Sequence, residues 1–472
     1  MKETTSPSWM SQPRCADRHV IATEDPDADV HEWLGEWRRQ AGMRVDVVPL
    51  AGLRGWRQDA ETGVLAHQSG RFFRVEGLSI EMPGAAVPRW DQPVLHQPEV
   101  GILGLLARHD GETLRVLVQA KAEPGNQDGQ QLAPTVQATR SNWTGVHGGR
   151  PVPFLHHFRN PEPGRVLVDV RQSEHGSWFL RKRNRNMVVL TEDDIVPPPG
   201  FRWLTIAQLH RLLRHDDLVN MDIRTVLSCL PAELTVRAAF PDPDAFTEAL
   251  HRSCHPGWGG RHTTGELLHW ITDARSRTEV GADRTALRGQ AAWHLGEVSL
   301  RHDSGLFFEV IGVDVDAEGR EVASWSQPML RPCGQGVVAF LATRIDGVLH
   351  VLAHARVEAG FVDVVELAPT VQCTPATLAY LPAAARPPFL DQVLNAPPER
   401  VRFRAILSEE GGRLYRARSS YLVVETDDAD LETDQYRWVT LHQLSELLRH
   451  SNYVNVSARS LIACLRGLLD PG

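Results

Sequence analysis

The sequence is short of lysine. Of its 50 Lys and Arg residues only Lys2, Lys121 and Lys182 are lysines. A chain that otherwise carries positive charge on guanidinium groups has put two ammonium groups inside its most distinctive strings, and those positions read as chosen for an ammonium. A basic balance is also missing. The net charge of −9 argues against a general nucleic-acid binder, whose affinity rests on cations facing phosphates. No apolar run approaches the roughly 18 residues that would span a bilayer, so no membrane association is expected. Residues 1–23 are polar, lack an apolar signal core and read as a flexible arm. The six cysteines include no CxxC pair, which argues against a disulfide frame or a zinc site and fits a reduced cytoplasm. No GxGxxG or Walker string is present, so no nucleotide cofactor is expected. All five tyrosines lie from Tyr380 onward, which denies a phenolic acid or base to any site built wholly from the first half.

What is present is a duplication. Ser69-Gly-Arg-Phe-Phe73 returns as Ser304-Gly-Leu-Phe-Phe308, and the same offset of 235 residues relates Trp90 to Trp325, Arg202-Trp203 to Arg437-Trp438, and Val219-Asn220 to Val454-Asn455. Chance does not hold an offset constant over such a length. The chain divides into the arm, a first repeat over 24–240, a linker over 241–262 and a second repeat over 263–472.

Each repeat reads as α+β, a mixed sandwich rather than a doubly wound parallel sheet, because β-rich runs come first and helices follow. Val30, Trp33, Leu34 and Trp37 fall on one helical face ahead of Gly42. A hairpin is expected around His109-Asp-Gly111, joining Ile102–Ala107 to Leu114–Ala120, with a counterpart at Asp346-Gly347. Thr205, Asp222 and Thr440 are positioned to cap helices. In the linker, Asp244–Cys254 reads as a short helix. His251, His255 and His262 are spaced too irregularly for a metal site and read as solvated.

The repeats differ where chemistry would sit. Arg181-Lys-Arg-Asn-Arg-Asn186 precedes an apolar strand; alternation would put Arg181, Arg183 and Arg185 on one face, a row suited to a diphosphate or else a plain basic surface strand, with Lys182, Asn184 and Asn186 between them. The second repeat has Arg416-Ala-Arg418 and then Tyr421 there. Lys121 and Glu123 share a strand face, as a base beside an electrostatic stabiliser or as a plain surface ion pair. Gln119 and Asn126 flank them. Leu132-Ala-Pro-Thr-Val-Gln137, with Thr135 and Gln137, recurs through Thr370 and Gln372 and so speaks first for the shared fold. Only the first repeat continues to Asn142, Trp143 and His147, an amide and a stacking plane suited to a pyrimidine.

These strings resemble the NDP-hexose 2,3-dehydratases of deoxysugar and antibiotic biosynthesis. The resemblance is carried by Gln119–Asn126, Leu132–Trp143, Ser173–Met187 and Asp217–Asp222, and by Val365–Thr374 and Leu407–Gly412. It implies two Nudix-like domains, a homodimer, and dTDP-4-keto-6-deoxyglucose as substrate. It also implies a product passed to a 3-ketoreductase or aminotransferase. Nudix hydrolysis is not implied: beside Glu409-Glu-Gly-Gly412 the motif's Arg-Glu is replaced by Ala405-Ile406, and the first repeat has only Glu174-His-Gly176, so no metal is expected.

In the implied reaction a base removes the C3 proton made acidic by the C4 ketone, the C2 hydroxyl leaves, and the enol becomes a 3,4-diketo-2,6-dideoxy sugar. No cofactor is called for. The expectation places diphosphate on Arg181, Arg183 and Arg185, thymine at Asn142 and Trp143, and the ketone on Lys121 or Lys182. Glu123 or His147 serves as base or proton donor. Gln119, Asn126, Thr135, Gln137, Asn184 and Asn186 complete the first pocket; Thr370, Gln372, Arg416, Arg418 and Tyr421 mark a degenerate second one. The competing readings are a silent nucleotide-sugar binder and a sugar-nucleotide hydrolase.

Overall fold

The computed structural model describes residues 27–40, 42–111, 113–143, 151–234, 244–317 and 322–470, with the backbone alone at 142 and 143. Two seven-stranded mixed sheets correspond strand for strand. In the first, Val166–Ser173, Arg183–Leu190, Gly101–Asp110, Thr113–Ala122 and Phe201–Thr205 lie in that order. Gln130–Pro134 and Val136–Ala138 add to the two long hairpin strands. At its centre Arg183–Leu190 runs parallel to Gly101–Asp110, with Asn184 beside Gly101. In the second sheet Arg418–Glu425 runs parallel to Gly336–Ile345, with Ser419 beside Gly336. The expected hairpin is there and longer than its apolar runs, reaching Asp110 and Thr113.

Of the three expected caps, two start their helices and one does not. Thr205 and Thr440 each close a capping box with the glutamine three residues on. Asp222 caps nothing: Asn220 accepts the Ile223 N–H and starts the helix Met221–Ser228 two residues earlier. The apolar stripe at Val30 and Leu34 is buried in the helix Ala28–Gln40. The linker holds the expected short helix as Ala245–Ser253, with Asp244 as its cap. Its end is not solvated: His262 bonds Glu432 at 2.6 Å and Arg261 N–H donates to His350. The arm and residues 235–243 lie outside the described residues. Among the described residues no helix is long and apolar enough to cross a membrane.

The repeats are interlocked. Strand Met43–Val48 of the first pairs with Phe308–Ala317 of the second, and Gly281–Thr285 of the second pairs with Arg74–Glu81 of the first. Each repeat lends one strand to the other's smaller sheet. The largest core is likewise common property, joining Leu105, Val188 and Leu227 to Phe340, Val423 and Leu461. Among the described residues three fully buried arginines cross between halves, Arg466 by donating to Leu230 O at 2.7 Å. Arg224 donates to Ser408 O at 2.6 Å, and Arg459 donates to Ser173 O at 2.5 Å. A guanidinium in such a core is tolerable because its N–H groups are met by carbonyl and hydroxyl oxygens: Val219 O and Ser460 Oγ for Arg224, Val454 O and Thr225 Oγ1 for Arg459.

Candidate active site

The exchange brings a turn of each repeat over the other's hairpin strand. Gly125 N–H donates to Gly411 O at 2.7 Å, and Gly360 N–H to Gly176 O at 2.9 Å. Glycine is required at these crossings, since a Cβ on Gly125 would lie 1.8 Å from Leu414 O and one on Gly360 2.1 Å from Phe179 O. Gln327 then anchors the turn after Glu410, donating to Gly412 O at 2.6 Å while Trp325 Nε1 holds its amide oxygen at 2.9 Å.

Under this turn lies a cavity of about 440 Å³ with walls from both repeats. The first repeat supplies Lys121, Glu123, Glu174, Lys182 and Asp222; the second supplies Glu410 and Arg413. Lys121 Nζ donates to Gln137 O at 3.0 Å, and the Gln137 amide donates to Glu123 at 2.8 Å. Asn184 donates to Glu174 at 2.7 Å and receives Gly101 N–H at 3.2 Å. Lys182 is 5 % exposed and donates to Glu99 O at 2.6 Å. Burial lowers its ammonium to about 8, Arg413 adding to the fall while Glu174 opposes it. Glu410 accepts Gly412 and Arg413 N–H at 3.0 and 2.7 Å. Burial, then the charges of Glu123 and Glu174, nevertheless push it up to about 7, with Arg413 pulling the other way. A buried ammonium and a part-buried carboxyl that both titrate near neutrality are suited to proton transfer and to stabilising an oxyanion.

The outer wall is aromatic. Trp56 packs against Phe73 at 4.9 Å, Phe72 against His67 at 4.6 Å, and the Arg413 guanidinium lies 4.4 Å above Phe73. Arg54, half exposed at the rim, bonds Ser326 and Ser324 of the second repeat.

Set against the sequence, Lys121, Glu123, Gln137, Lys182 and Asn184 reach the cavity. The arginine row does not. Arg183 and Arg185 share the strand face turned away from the cavity, and Arg181 lies ahead of the strand at a positive φ of 52°; Lys182, Asn184 and Asn186 are the buried members, and Arg185 pairs with Asp169 at 2.6 Å. Several polar residues serve the frame instead. Thr135 ties Leu106 N–H to Leu117 O across the hairpin, Gln119 bonds Pro134 O, Asn126 closes a turn onto Gly129 O, and Asn186 bonds Asn184 O. The side chains of Asn142 and Trp143, and all of His147, fall outside the described residues. In the second repeat Thr370 ties Leu341 to Leu352 as Thr135 does. Gln372 bonds Glu358, and buried Tyr421 donates to Glu409. Arg416 is exposed over Tyr415, and Arg418 pairs with Asp217. Glu174, Asp222, Glu410, Arg413 and the aromatic wall were not anticipated. The Glu409-Glu-Gly-Gly412 string was a signal for Glu410, visible in sequence only as a failed metal box.

A model of the NDP-hexose 2,3-dehydratase family matches residues 27–230 and 264–465, once per repeat, and the chain belongs to this family. Its curated relatives are narrower in name. The chain is 46% identical over 462 residues, covering 95% of itself and 93% of the relative, to a dTDP-4-dehydro-6-deoxy-alpha-D-glucopyranose 2,3-dehydratase of Amycolatopsis orientalis. Enzymes of the same name from Saccharopolyspora spinosa (46%, covering 94% and 92%) and Streptomyces violaceoruber (45%, covering 94% and 98%) are similarly close.

Proposed function

We propose that the cavity dehydrates dTDP-4-keto-6-deoxyglucose across C2 and C3, the substrate its relatives' names state. The observation that carries the residue roles is that one cavity brings together Lys182, near 8, and part-buried Glu410, near 7. Glu410 takes the C3 proton; its raised value makes it a stronger base than an ordinary carboxylate while leaving it substantially ionised at neutral pH. Lys182 holds the oxygen that becomes the C4 enolate, with Lys121 behind it. Loss of the C2 hydroxyl and ketonisation give the 3,4-diketo-2,6-dideoxy sugar. Glu123, fixed by Gln137, holds sugar hydroxyls in this reading, and the base moves from it to Glu410.

Arg413 and Arg54 are the cations suitably placed for the diphosphate, and the Trp56–Phe72 wall is suited to the thymine. The same reading includes a Nudix-like description of each repeat, supported by the mixed sheet with its central parallel pair. It also includes a homodimer, and a product handed to a 3-ketoreductase or aminotransferase.

The test is incubation of purified protein with dTDP-4-keto-6-deoxyglucose in deuterated buffer, without added cofactor, followed by NMR and mass spectrometry. Loss of water is the expected result. Tight binding without loss of water or C3 exchange would turn the reading to a nucleotide-sugar receptor, and release of dTMP to a hydrolase.

A further inference from the structure

Among the described residues four carboxyl groups line the cavity, and three accept hydrogen bonds. Glu123 takes the Gln137 amide, Glu174 the Asn184 amide, and Glu410 two backbone N–H groups. Asp222 receives no hydrogen bond from any described residue. It is 4 % exposed, lies on the cavity wall, and its Oδ1 is both buried and unpartnered. It sits in the first turn of Met221–Ser228, where a carboxylate commonly serves the helix, but Asn220 already performs the capping. The second repeat confirms that the fold makes no demand for it. Ser457 stands there, and Asn455 caps the helix Val456–Gly467 in the same way.

We infer that Asp222 is the proton donor to the departing C2 hydroxyl, held as a neutral carboxylic acid where the described residues give it no donor and no bonded cation. This inference rests on the dehydratase reading above. Burial, followed by the charges of Glu174, Glu123 and Glu410, holds the carboxyl well above the ordinary range, and Lys121 is the cation that opposes them. In the step, the Asp222 proton passes to the C2 oxygen, the C2–O bond breaks, and water departs. The enolate pair moves to form C2=C3 as the C4 carbonyl is restored. Glu410 has gained the proton that Asp222 has lost, so one transfer between them, direct or through water, resets the site. No oxidant or further reactant enters.

The two half-steps can be read separately in deuterated buffer. Asp222→Asn and Asp222→Ser, the latter copying the second repeat, are compared with wild type for C3 hydrogen exchange and for loss of water. The expected result is a fall of roughly 10²-fold or more in dehydration, with C3 exchange retained and now outrunning elimination. Wild-type dehydration in either variant overturns the inference. So does a parallel loss of exchange and dehydration in both variants, which would make Asp222 part of the base or of the frame. Failure of wild type to dehydrate would instead overturn the dehydratase reading and is seen before either variant is made.

Discussion

The two repeats build the same frame around opposite electrostatics. Lys121 and Arg356 both reach across to the carbonyl of a glutamine, Gln137 or Gln372, whose amide bonds Glu123 or Glu358. In the second repeat the charges then cancel. Arg356 bonds Glu358 directly at 2.7 Å, and Glu409, counterpart of Glu174, is met by His175 at 3.2 Å and by Tyr421 at 3.1 Å. Ala417 stands where the first repeat has Lys182, and Ser457 where it has Asp222. His175 comes from the first repeat, on the crossing turn equivalent to the one that brings Glu410 to the first site. One half thus keeps several carboxyls around two lysines; the other pairs or deletes the counterpart of each, while burial pushes its Glu366, bonded by Ser173, up to about 7. Keeping the carboxyls and lysines costs stability, a cost that persists in proteins where the charges work.

Breaking the first site has the largest expected effect. Lys182→Ala removes its central ammonium, and kcat should fall roughly 10²–10³-fold, the scale of a lost oxyanion donor. Arg418→Ala on the matching strand of the second repeat should leave most turnover. It removes the partner of buried Asp217, and because Arg418 is partly exposed the stability loss should be about 1–2 kcal/mol rather than the value for a fully buried pair. Equal losses of activity from the two changes would end the division of roles.

The pH profile comes next. Glu410 must be ionised and Lys182 protonated, so kcat/KM should rise through about 7 and fall above about 8. Lys182→Arg should leave only the alkaline limb set by ionisation of Asp222, and Glu410→Gln should lower activity by roughly 10²-fold. A flat profile from pH 6 to 9 would reject both assignments.

A smaller contrast compares the anchors of the two crossing turns. Gln327 holds Gly412, and Gln92 holds Ser177 in the same way at 2.7 Å. Gln327→Ala should lower kcat roughly tenfold by loosening Glu410, while Gln92→Ala should leave it nearly unchanged. Steady-state kinetics at one temperature decides.

The mildest contrast is one of stability. Although burial favours neutral forms, the pair leaves His175 above 6.5 and Glu409 below 4.5. The histidine's contribution is whole below 6.5 and fades as pH rises through its folded value. The carboxylate's is whole above 4.5 and fades as pH falls through its folded value. The gap in Tm between wild type and His175→Gln should therefore be widest from pH 4.5 to 6.5 and shrink on both sides.

The duplication, the hairpins, the Thr205 and Thr440 caps and the two lysines were legible because each is written locally, in a repeat offset, an alternation or a residue type. The basic string shows where such reading stops. Alternation separates Arg181, Arg183 and Arg185 from Lys182, Asn184 and Asn186, but which set faces inward depends on what covers the strand. Charge count favoured the arginines; burial chose the lysine and amides. Asp222 was misplaced for a related reason, since Asn220 and Asp222 are both good caps and backbone geometry selects between them.

By itself, then, the sequence determined a doubled mixed α/β chain, its family, and the candidacy of Lys121, Glu123 and Lys182. Only the tertiary structure decided that the first site is completed by the second repeat. Glu410 and Arg413 lie far along the chain from Lys121, and no spacing rule joins them. They meet because Met43–Val48 and Gly281–Thr285 exchange sheets and because Gly125 and Gly411 can approach within a hydrogen bond. Their chemistry follows from that meeting, since a carboxyl acquires a value near 7 from burial and neighbours rather than from its place in the chain.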